Sequence, residues 1–106
     1  MNINPDLIRG HIDTVILNFL EMGDKYGYEI SKQIKVSTEG EYEIKEATLY
    51  SSLKRLEREN SIISYWGDET QGGRRKYYKI TDSGKSLLNK NKLEWEFTKK
   101  IISKLI

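Results

Sequence analysis

Apolar residues recur at intervals of three and four along the first half of the chain, the spacing that places side chains on one side of a helix. The first run begins at Pro5, which suits a first helical turn, and ends before the turn signal Gly23-Asp24. The second run begins at Tyr26, and the third, with Leu49, Leu53 and Leu56, extends to residue 59. The pattern predicts three helices, over about 5–22, 26–36 and 46–59.

Shorter segments between and after these helices favour extended structure. Residues 41–44 alternate polar and apolar side chains, which is consistent with a brief strand or an extended linker. Residues 62–66 and 76–80 are rich in β-formers, and Gly72-Gly73 lies between them. These two runs predict a β-hairpin with a basic tip.

A last helix is predicted from the capping pair Thr81-Asp82 to the C-terminus, about 37 Å long at about 1.5 Å per residue. Leu88, Trp95 and Ile102 repeat every seven residues along it, while Leu93 and Phe97 occupy nearly the opposite side. We expect one apolar side to rest on the domain and the other to pair with a second subunit. The predicted seam residues are Leu88, Trp95 and Ile102.

Three helices followed by a hairpin wing is the order of a winged helix-turn-helix, whose third helix enters the DNA major groove. The predicted fold class is therefore mainly α (α+β), with a two-stranded β-hairpin wing and a long C-terminal dimerisation helix. Residues 1–80 would form the DNA-binding domain, and residues 81–106 the dimerisation helix of the same compact unit.

The side of the third helix opposite the leucines is small, hydroxylic and basic. Ala47 and Thr48 are small enough to let the helix approach base edges, and Tyr50 and Ser51 offer hydroxyl groups. Lys54 would contact a phosphate. The alternative is a solvated surface, on which Lys54, Arg55 and Arg58 pair with Glu57 and Glu59.

Charge is distributed unevenly along the 106 residues, although the net charge of +2 is too small to identify a partner. Residues 71–81 contain no acidic side chain, whereas acids cluster at residues 39–43. Arg74, Arg75 and Lys76 at the wing tip would neutralise phosphates without reading sequence. An ordinary solvated hairpin is the alternative for this patch.

Enzymatic chemistry has little support in the sequence. Cysteine is absent, and neither a nucleophile elbow nor a phosphate-binding glycine loop occurs. The single histidine, His11, has no second ligand at helical spacing, so we expect it to pack or to form a local hydrogen bond. We predict no catalysis, metal or cofactor. Without a secretory or membrane-spanning apolar segment, we expect a cytoplasmic protein with no membrane partner.

Several short motifs together resemble the PadR-type transcriptional regulators, in particular the short members that end in a single C-terminal helix. They are Gly10-His11, Tyr26-Gly27-Tyr28-Glu29-Ile30, Thr48-Leu49-Tyr50, the series from Gly72 to Tyr78, and Thr81 with Gly84. The resemblance implies a dimeric bacterial repressor of a palindromic promoter. It also implies recognition by Lys45, Thr48, Tyr50 and Ser51, with wing contacts from Gly73, Arg74 and Lys76.

The sequence departs from the family pattern at two places. Asn60-Ser61 stands where the family usually has a glycine that closes the third helix, and Ala47 stands where glycine is common. Neither departure breaks the predicted fold, but Ala47 leaves the base preference next to it open.

The two tryptophans are interpreted differently. Trp66 is expected to pack against the third helix or the hairpin, without a ligand role. For Trp95, packing in the core or the dimer is one interpretation. The other follows from the resemblance, since short PadR-like members hold planar aromatic ligands between paired tryptophans, and it makes Trp95 part of a ligand pore. The alternative function for the whole chain is a winged-helix module that binds protein and never DNA.

Overall fold

The computed structural model describes residues 2–68 and 73–106, and within them the predicted helices and hairpin strands occur in the predicted order, with one further strand. The elements are α1 (Pro5–Ile8), a 3-10 turn (Arg9–His11), α2 (Ile12–Glu21), β1 (Lys25–Tyr26), α3 (Gly27–Ser37), α4 (Glu46–Arg58), β2 (Ile62–Trp66), β3 (Lys76–Ile80) and α5 (Asp82–Leu105). Within the described ranges, no helix is both long and apolar enough to span a membrane.

The first predicted helix is divided into α1, the 3-10 turn and α2. Asn4 caps the first piece, its side-chain oxygen accepting a hydrogen bond from the backbone N–H of Asp6 at 2.9 Å. Gly10 lies in the 3-10 turn, and glycine stabilises a continuous helix less than other residues do. The prediction of one helix over 5–22 was therefore wrong at the turn.

The sheet has three antiparallel strands in the order β1-β3-β2, one more than the predicted hairpin. Lys25 and Tyr26 pair with Tyr78 and Tyr77, so the segment before α3 forms the third strand. Tyr26 had been predicted to be helical, but it is the extended residue that precedes α3. Residues 41–44 belong to no strand, which leaves the extended linker of the two interpretations.

One hydrophobic core joins all the main elements. Its buried side chains are Ile12, Ile16, Leu17, Leu20, Ile30, Ile34, Ile44, Leu49, Leu53, Leu56, Ile62, Tyr78, Ile80 and Leu88. The last of these comes from α5, so the first turns of the C-terminal helix are part of the domain core. This position corrects the assignment of Leu88 to the dimer seam, because a side chain with 0% exposure in a single chain has no surface for a partner.

The start of α5 is fixed to the end of α4. The Thr81 hydroxyl accepts a hydrogen bond from the Gly84 N–H at 3.0 Å and donates one to the Asn60 carbonyl at 2.7 Å. Gly84 lies so close to the Ser61 carbonyl that a Cβ atom would overlap it. Beyond this joint the helix leaves the core, and every residue from 92 to 106 is exposed in the single chain.

Candidate nucleic-acid interface

The outward side of α4 is the centre of the candidate site. The inward side buries Leu49, Leu53 and Leu56, as predicted, with no more than 2% exposure. Thr48 is half-buried, and Lys45 is exposed on extended backbone immediately before the helix. The other predicted contact residues on α4 are exposed: Ala47, Tyr50, Ser51 and Lys54. This side of the helix is therefore accessible to a partner.

A charged contact holds α4 against α2. Arg55 donates to both carboxylate oxygens of Asp13, at 2.5 and 3.3 Å, and also to the Ser52 hydroxyl at 3.2 Å. The hydrogen bond to Asp13 raises the pKa of Arg55 further above its already high value. The sequence had offered Glu57 or Glu59 as the partner of Arg55. The observed partner is 42 positions away, and it fixes the orientation of α4 rather than charging its outward side.

Tyr50 connects α4 with the start of α3 and with the sheet. A Cβ atom on Gly27 would lie 2.9 Å from Cζ of Tyr50 and closer still to its hydroxyl oxygen, so the glycine allows the ring to pack there. Burial raises the pKa of Tyr78, and the proximity of Tyr50 and Glu57 raises it further. The Tyr50 ring therefore packs against the start of α3, while the residue stays 38% exposed.

The wing is fixed to α4 by Glu57. This carboxylate accepts a hydrogen bond from the Ser64 hydroxyl at 2.5 Å and lies 3.9 Å from the Lys76 ammonium. Ser64 and Lys76 are on neighbouring strands β2 and β3, so one side chain of α4 contacts both strands of the hairpin. Part of the Lys76 charge is consequently balanced within the chain.

The basic run at the start of β3 is divided between two faces of the hairpin. Arg74 lies over the Trp66 ring, and Lys76 points to Glu57, on the side of the hairpin next to α4. Arg75 lies over the Tyr26 ring at 4.9 Å, on the opposite side. Gly73 has a φ of 86°, which glycine adopts without strain, whereas Gly72 lies outside the described residues.

The Trp66 side chain is not packed as predicted. Its side chain was expected to pack against α4 or the hairpin, yet it is 58% exposed at the end of β2. The guanidinium carbon of Arg74 lies 5.9 Å from the ring centroid, within the range of a cation–π contact. The residue shares its strand face with Ser64, which contacts α4. A large aromatic surface therefore lies beside the candidate site, which the spacing of residues in the sequence did not indicate.

The apolar side chains of α5 have two environments. Trp95 contacts His11 edge to face at 4.7 Å and has the Lys99 ammonium 5.6 Å from its ring, so its side of the helix faces the chain's own N-terminal segment. Ile102 is 49% exposed, farther along that side. Leu93 and Phe97, on nearly the opposite side, are 73% and 64% exposed. The uncovered apolar surface of α5 is thus broader than the predicted seam.

No metal-binding arrangement was found among the residues that the structure describes, which contain no cluster of three or more His, Cys, Asp or Glu side chains suited to an ion. His11 instead packs against Trp95, one of the two roles expected for it. The described groups at the site are thus aromatic, hydroxylic and cationic. They are suited to binding a large anionic ligand.

Residues 16–90 match the model of the Transcriptional regulator PadR-like family. The chain belongs to this family. Its members regulate transcription and are not enzymes, which confirms the predicted family and the predicted absence of catalysis. DNA binding is a property that the family implies.

The chain is also similar to two curated proteins, of which the first is of similar length and the second is much longer. The chain is 47% identical over 100 residues to a protein of Lysinibacillus sphaericus designated uncharacterized protein X, covering 94% of this chain and 92% of the relative. It is 33% identical over 87 residues to the transcriptional regulator YqjI of Escherichia coli, covering 82% of this chain but only 40% of YqjI.

Two solved structures share the whole architecture. A transcriptional regulator from Clostridium thermocellum superposes with a TM-score of 0.91 at 51% identity, over 98% of both chains. A PadR family regulator from Clostridium difficile superposes with a TM-score of 0.79 at 46% identity, over 90% of this chain and 97% of that one. The predicted winged-helix class is therefore confirmed, with three strands in place of two.

Proposed function

We propose that this PadR-family regulator is a sequence-specific repressor that binds duplex DNA as a homodimer. The observation that carries the proposal is that Glu57 of α4 contacts both Lys76 and Ser64 of the wing, so that the cationic wing is held beside the helix whose outward side is exposed. A helix in the major groove with cationic side chains on the adjacent backbone is the docking mode of winged helices. Repression follows from occlusion of the promoter.

The contacts divide between bases and phosphates. Small and hydroxylic side chains reach the base edges from the first half of α4: Ala47, Thr48, Tyr50 and Ser51. Cations and the wing backbone contact phosphates: Lys45, Lys54, Gly73, Arg74 and Lys76. Arg75 was predicted to belong to the second group. Because it lies over Tyr26 on the far side of the hairpin, we propose that its contribution is smaller than that of Arg74.

The second copy covers the exposed apolar side chains of α5. Phe97, Leu93 and Ile102 are each about half exposed or more, which is unusual for several large apolar residues on one helix of a monomer. Pairing of this helix with its copy buries them and relates two α4 helices by a twofold axis. Two such helices read a palindromic site whose half-sites lie about 34 Å apart, one turn of DNA.

A planar aromatic effector near Trp95 stays a prediction from the family resemblance. The Trp95 side chain is 43% exposed, which leaves ring surface for stacking beside His11. An effector that binds one dimer geometry better would shift the spacing of the two α4 helices. Quenching of Trp95 fluorescence by planar cationic dyes in a Trp66→Phe background tests this part, and unchanged emission would remove it from the proposal.

The DNA-binding part is tested by anisotropy titrations on two labelled duplexes, the promoter fragment upstream of the protein's own gene and a scrambled fragment of equal composition. Arg74→Ala should weaken binding to both and reduce the slope of log K against log salt by about 0.9, one phosphate contact. Ser51→Ala and Tyr50→Phe should lose affinity mainly for the promoter fragment. Tyr50→Phe keeps the ring that packs on Gly27.

Lys79→Ala is the matched control for the wing, because Lys79 is an exposed lysine of the same strand that pairs with Ile63 on the face away from α4. Its affinity and salt slope should equal those of the unsubstituted protein. Binding to neither duplex at low salt would reject the proposal and favour the protein-interaction module. Equal losses for Ser51→Ala on both duplexes would show that α4 does not read bases.

A further inference from the structure

The exposed Trp66 ring has no explanation in the stability of the domain. Its side chain is 58% exposed, whereas the core of the sheet is formed by Ile62, Tyr78 and Ile80. Leaving an indole in water forgoes most of the free energy that its burial would provide. The residue lies at the end of β2, opposite Lys76 of β3, where the hairpin extends past the core. A role in contacting a partner is therefore the simpler physical account.

The position of Trp66 on the hairpin indicates that its partner is the one that α4 would bind. Strand residues two apart share a face, so Trp66 lies on the same face as Ser64, which is hydrogen-bonded to Glu57 of α4. Tyr65, on the opposite face, stacks on Tyr77 and donates a hydrogen bond to Asp24 at 2.5 Å. Of these neighbouring aromatic residues, Trp66 is thus the one turned toward α4, the helix proposed to enter the groove.

The Arg74 guanidinium beside the Trp66 ring indicates which kind of ligand the pair would bind. Arg74 lies over Trp66 at 5.9 Å, and its planar group can donate two parallel hydrogen bonds to a phosphate while one face stays on the indole. The aromatic surface left exposed is apolar and flat, which suits a deoxyribose ring beside that phosphate. Together the pair presents one cation and one apolar surface, the two features of a sugar-phosphate unit.

We propose that Trp66 and Arg74 act together as a contact to the sugar-phosphate backbone of duplex DNA, in which the indole orients the guanidinium and packs on a sugar. The inference rests on the proposed function, since it requires that α4 and the wing face DNA. It goes beyond that function by assigning a binding role to Trp66. As a backbone contact, it strengthens binding without discriminating between sequences.

The test is a double-mutant cycle on a random-sequence duplex of about 20 base pairs at about 50 mM salt, because a backbone contact needs no operator. Trp66→Ala should weaken binding by about five- to tenfold, the size of one cation–π contact with its apolar packing. Trp66→Phe, which keeps a ring, should recover most of the loss. Arg74→Ala should cost less in the Trp66→Ala background than alone, because the guanidinium is already disoriented there.

Tyr65→Ala is the matched control, an aromatic truncation at the adjacent exposed position on the other face of β2. It should lower the melting temperature, since Tyr65 contacts Tyr77 and Asp24, but leave DNA affinity unchanged. A second measurement uses Trp95→Phe, which leaves Trp66 as the sole indole. Its emission should change on addition of the duplex.

The outcomes separate the inference from the function on which it rests. If the unsubstituted protein does not bind the duplex at low salt, the proposed function fails and the inference fails with it. If it binds and Trp66→Ala binds equally well, the inference alone is overturned. Additive losses in the cycle, or equal losses for Tyr65→Ala, would also overturn it, because a general weakening of the wing would explain them.

Discussion

The region around α4 is held by many contacts within the chain, whereas the distal half of α5 has almost none to the other described elements. α4 is held from three sides by contacts within its own chain, to the Asp13 side chain of α2, to Gly27 of α3 and to the Ser64 side chain of the wing. The distal half of α5 is exposed from residue 92 onward, with the contact between Trp95 and His11 near its beginning. The first region is complete within one chain, whereas we propose that the second pairs with a second copy.

The joint between the two regions is the place where a single change should have the largest effect. Gly84→Ala puts a Cβ atom onto the Ser61 carbonyl and within 2.8 Å of Ile80 Cγ1. The Ser61 carbonyl accepts a hydrogen bond from the Thr81 N–H at 3.1 Å, and Ile80 belongs to β3. We expect a loss of about 3 kcal/mol in the free energy of unfolding, measured by urea denaturation. Gly10→Ala is the control, because a Cβ atom there has open space. A tolerated Gly84→Ala would contradict the described joint.

A substitution in the exposed half of α5 should weaken the dimer without unfolding the domain. Phe97→Asp places a charge on an apolar side chain that is 64% exposed in the single chain, so the fold should be retained. The dimer dissociation constant should rise at least about 100-fold, roughly 3 kcal/mol, if the side chain is buried by a second copy. Sedimentation equilibrium measures the constant, and circular dichroism checks the fold. Asn89→Asp adds the same charge nearer the domain and should leave the dimer intact.

Weakening a contact that holds α4 should lower the stability of the domain without affecting the dimer. Asp13→Ala removes the partner of Arg55 and should lower the free energy of unfolding by about 1 kcal/mol, a modest value because the Arg55 side chain is 45% exposed. Dimer affinity should not change. Asp6→Ala removes a comparable pair with Arg9 in which both side chains are 72% exposed, and it should cost no more than a few tenths of a kcal/mol. Equal effects of the two variants would contradict a specific role for Asp13.

The smallest expected effect is a gain at the end of α4. Asn60 has a φ of 62°, and the Ser61 N–H bonds to the Leu56 carbonyl at 2.9 Å, which is the geometry of a helix closed by a left-handed residue. Asn60→Gly should stabilise the protein by about 0.5 kcal/mol, whereas Asn60→Ala should destabilise it by about 1 kcal/mol. Thermal melting measures both. A more stable Asn60→Ala variant would contradict this conformation.

Sequence periodicity predicted those parts of the molecule that depend on local pattern. Leu49, Leu53 and Leu56 are buried as their spacing indicates, and the strands of the wing have the predicted bounds. The strand β1 was missed because two residues carry no alternation to detect. The pair of Arg55 with Asp13 was missed because its members are far apart in sequence, and spacing rules detect only neighbours on one helix.

Among the predicted seam residues, Leu88 was assigned wrongly, for a related reason. Two apolar sides of a helix can be recognised from spacing, but spacing does not tell which side the domain covers. The structure places Leu88 in the core and Trp95 against His11, on the same side of α5. Trp66 was misjudged because an aromatic residue in a strand is ordinarily buried. Only the register of β2 against β3 brings it to an exposed end of the hairpin.

The most direct test of the account is a hydroxyl-radical footprint of the unsubstituted protein on the DNA upstream of its own gene. Two copies joined through α5 should protect two related half-sites whose centres lie about 34 Å apart, with protected sugars at the flanks where the wings lie. Protection of a single half-site would contradict the paired arrangement. Absence of any protection at low salt would contradict the central claim that α4 and the wing together bind DNA.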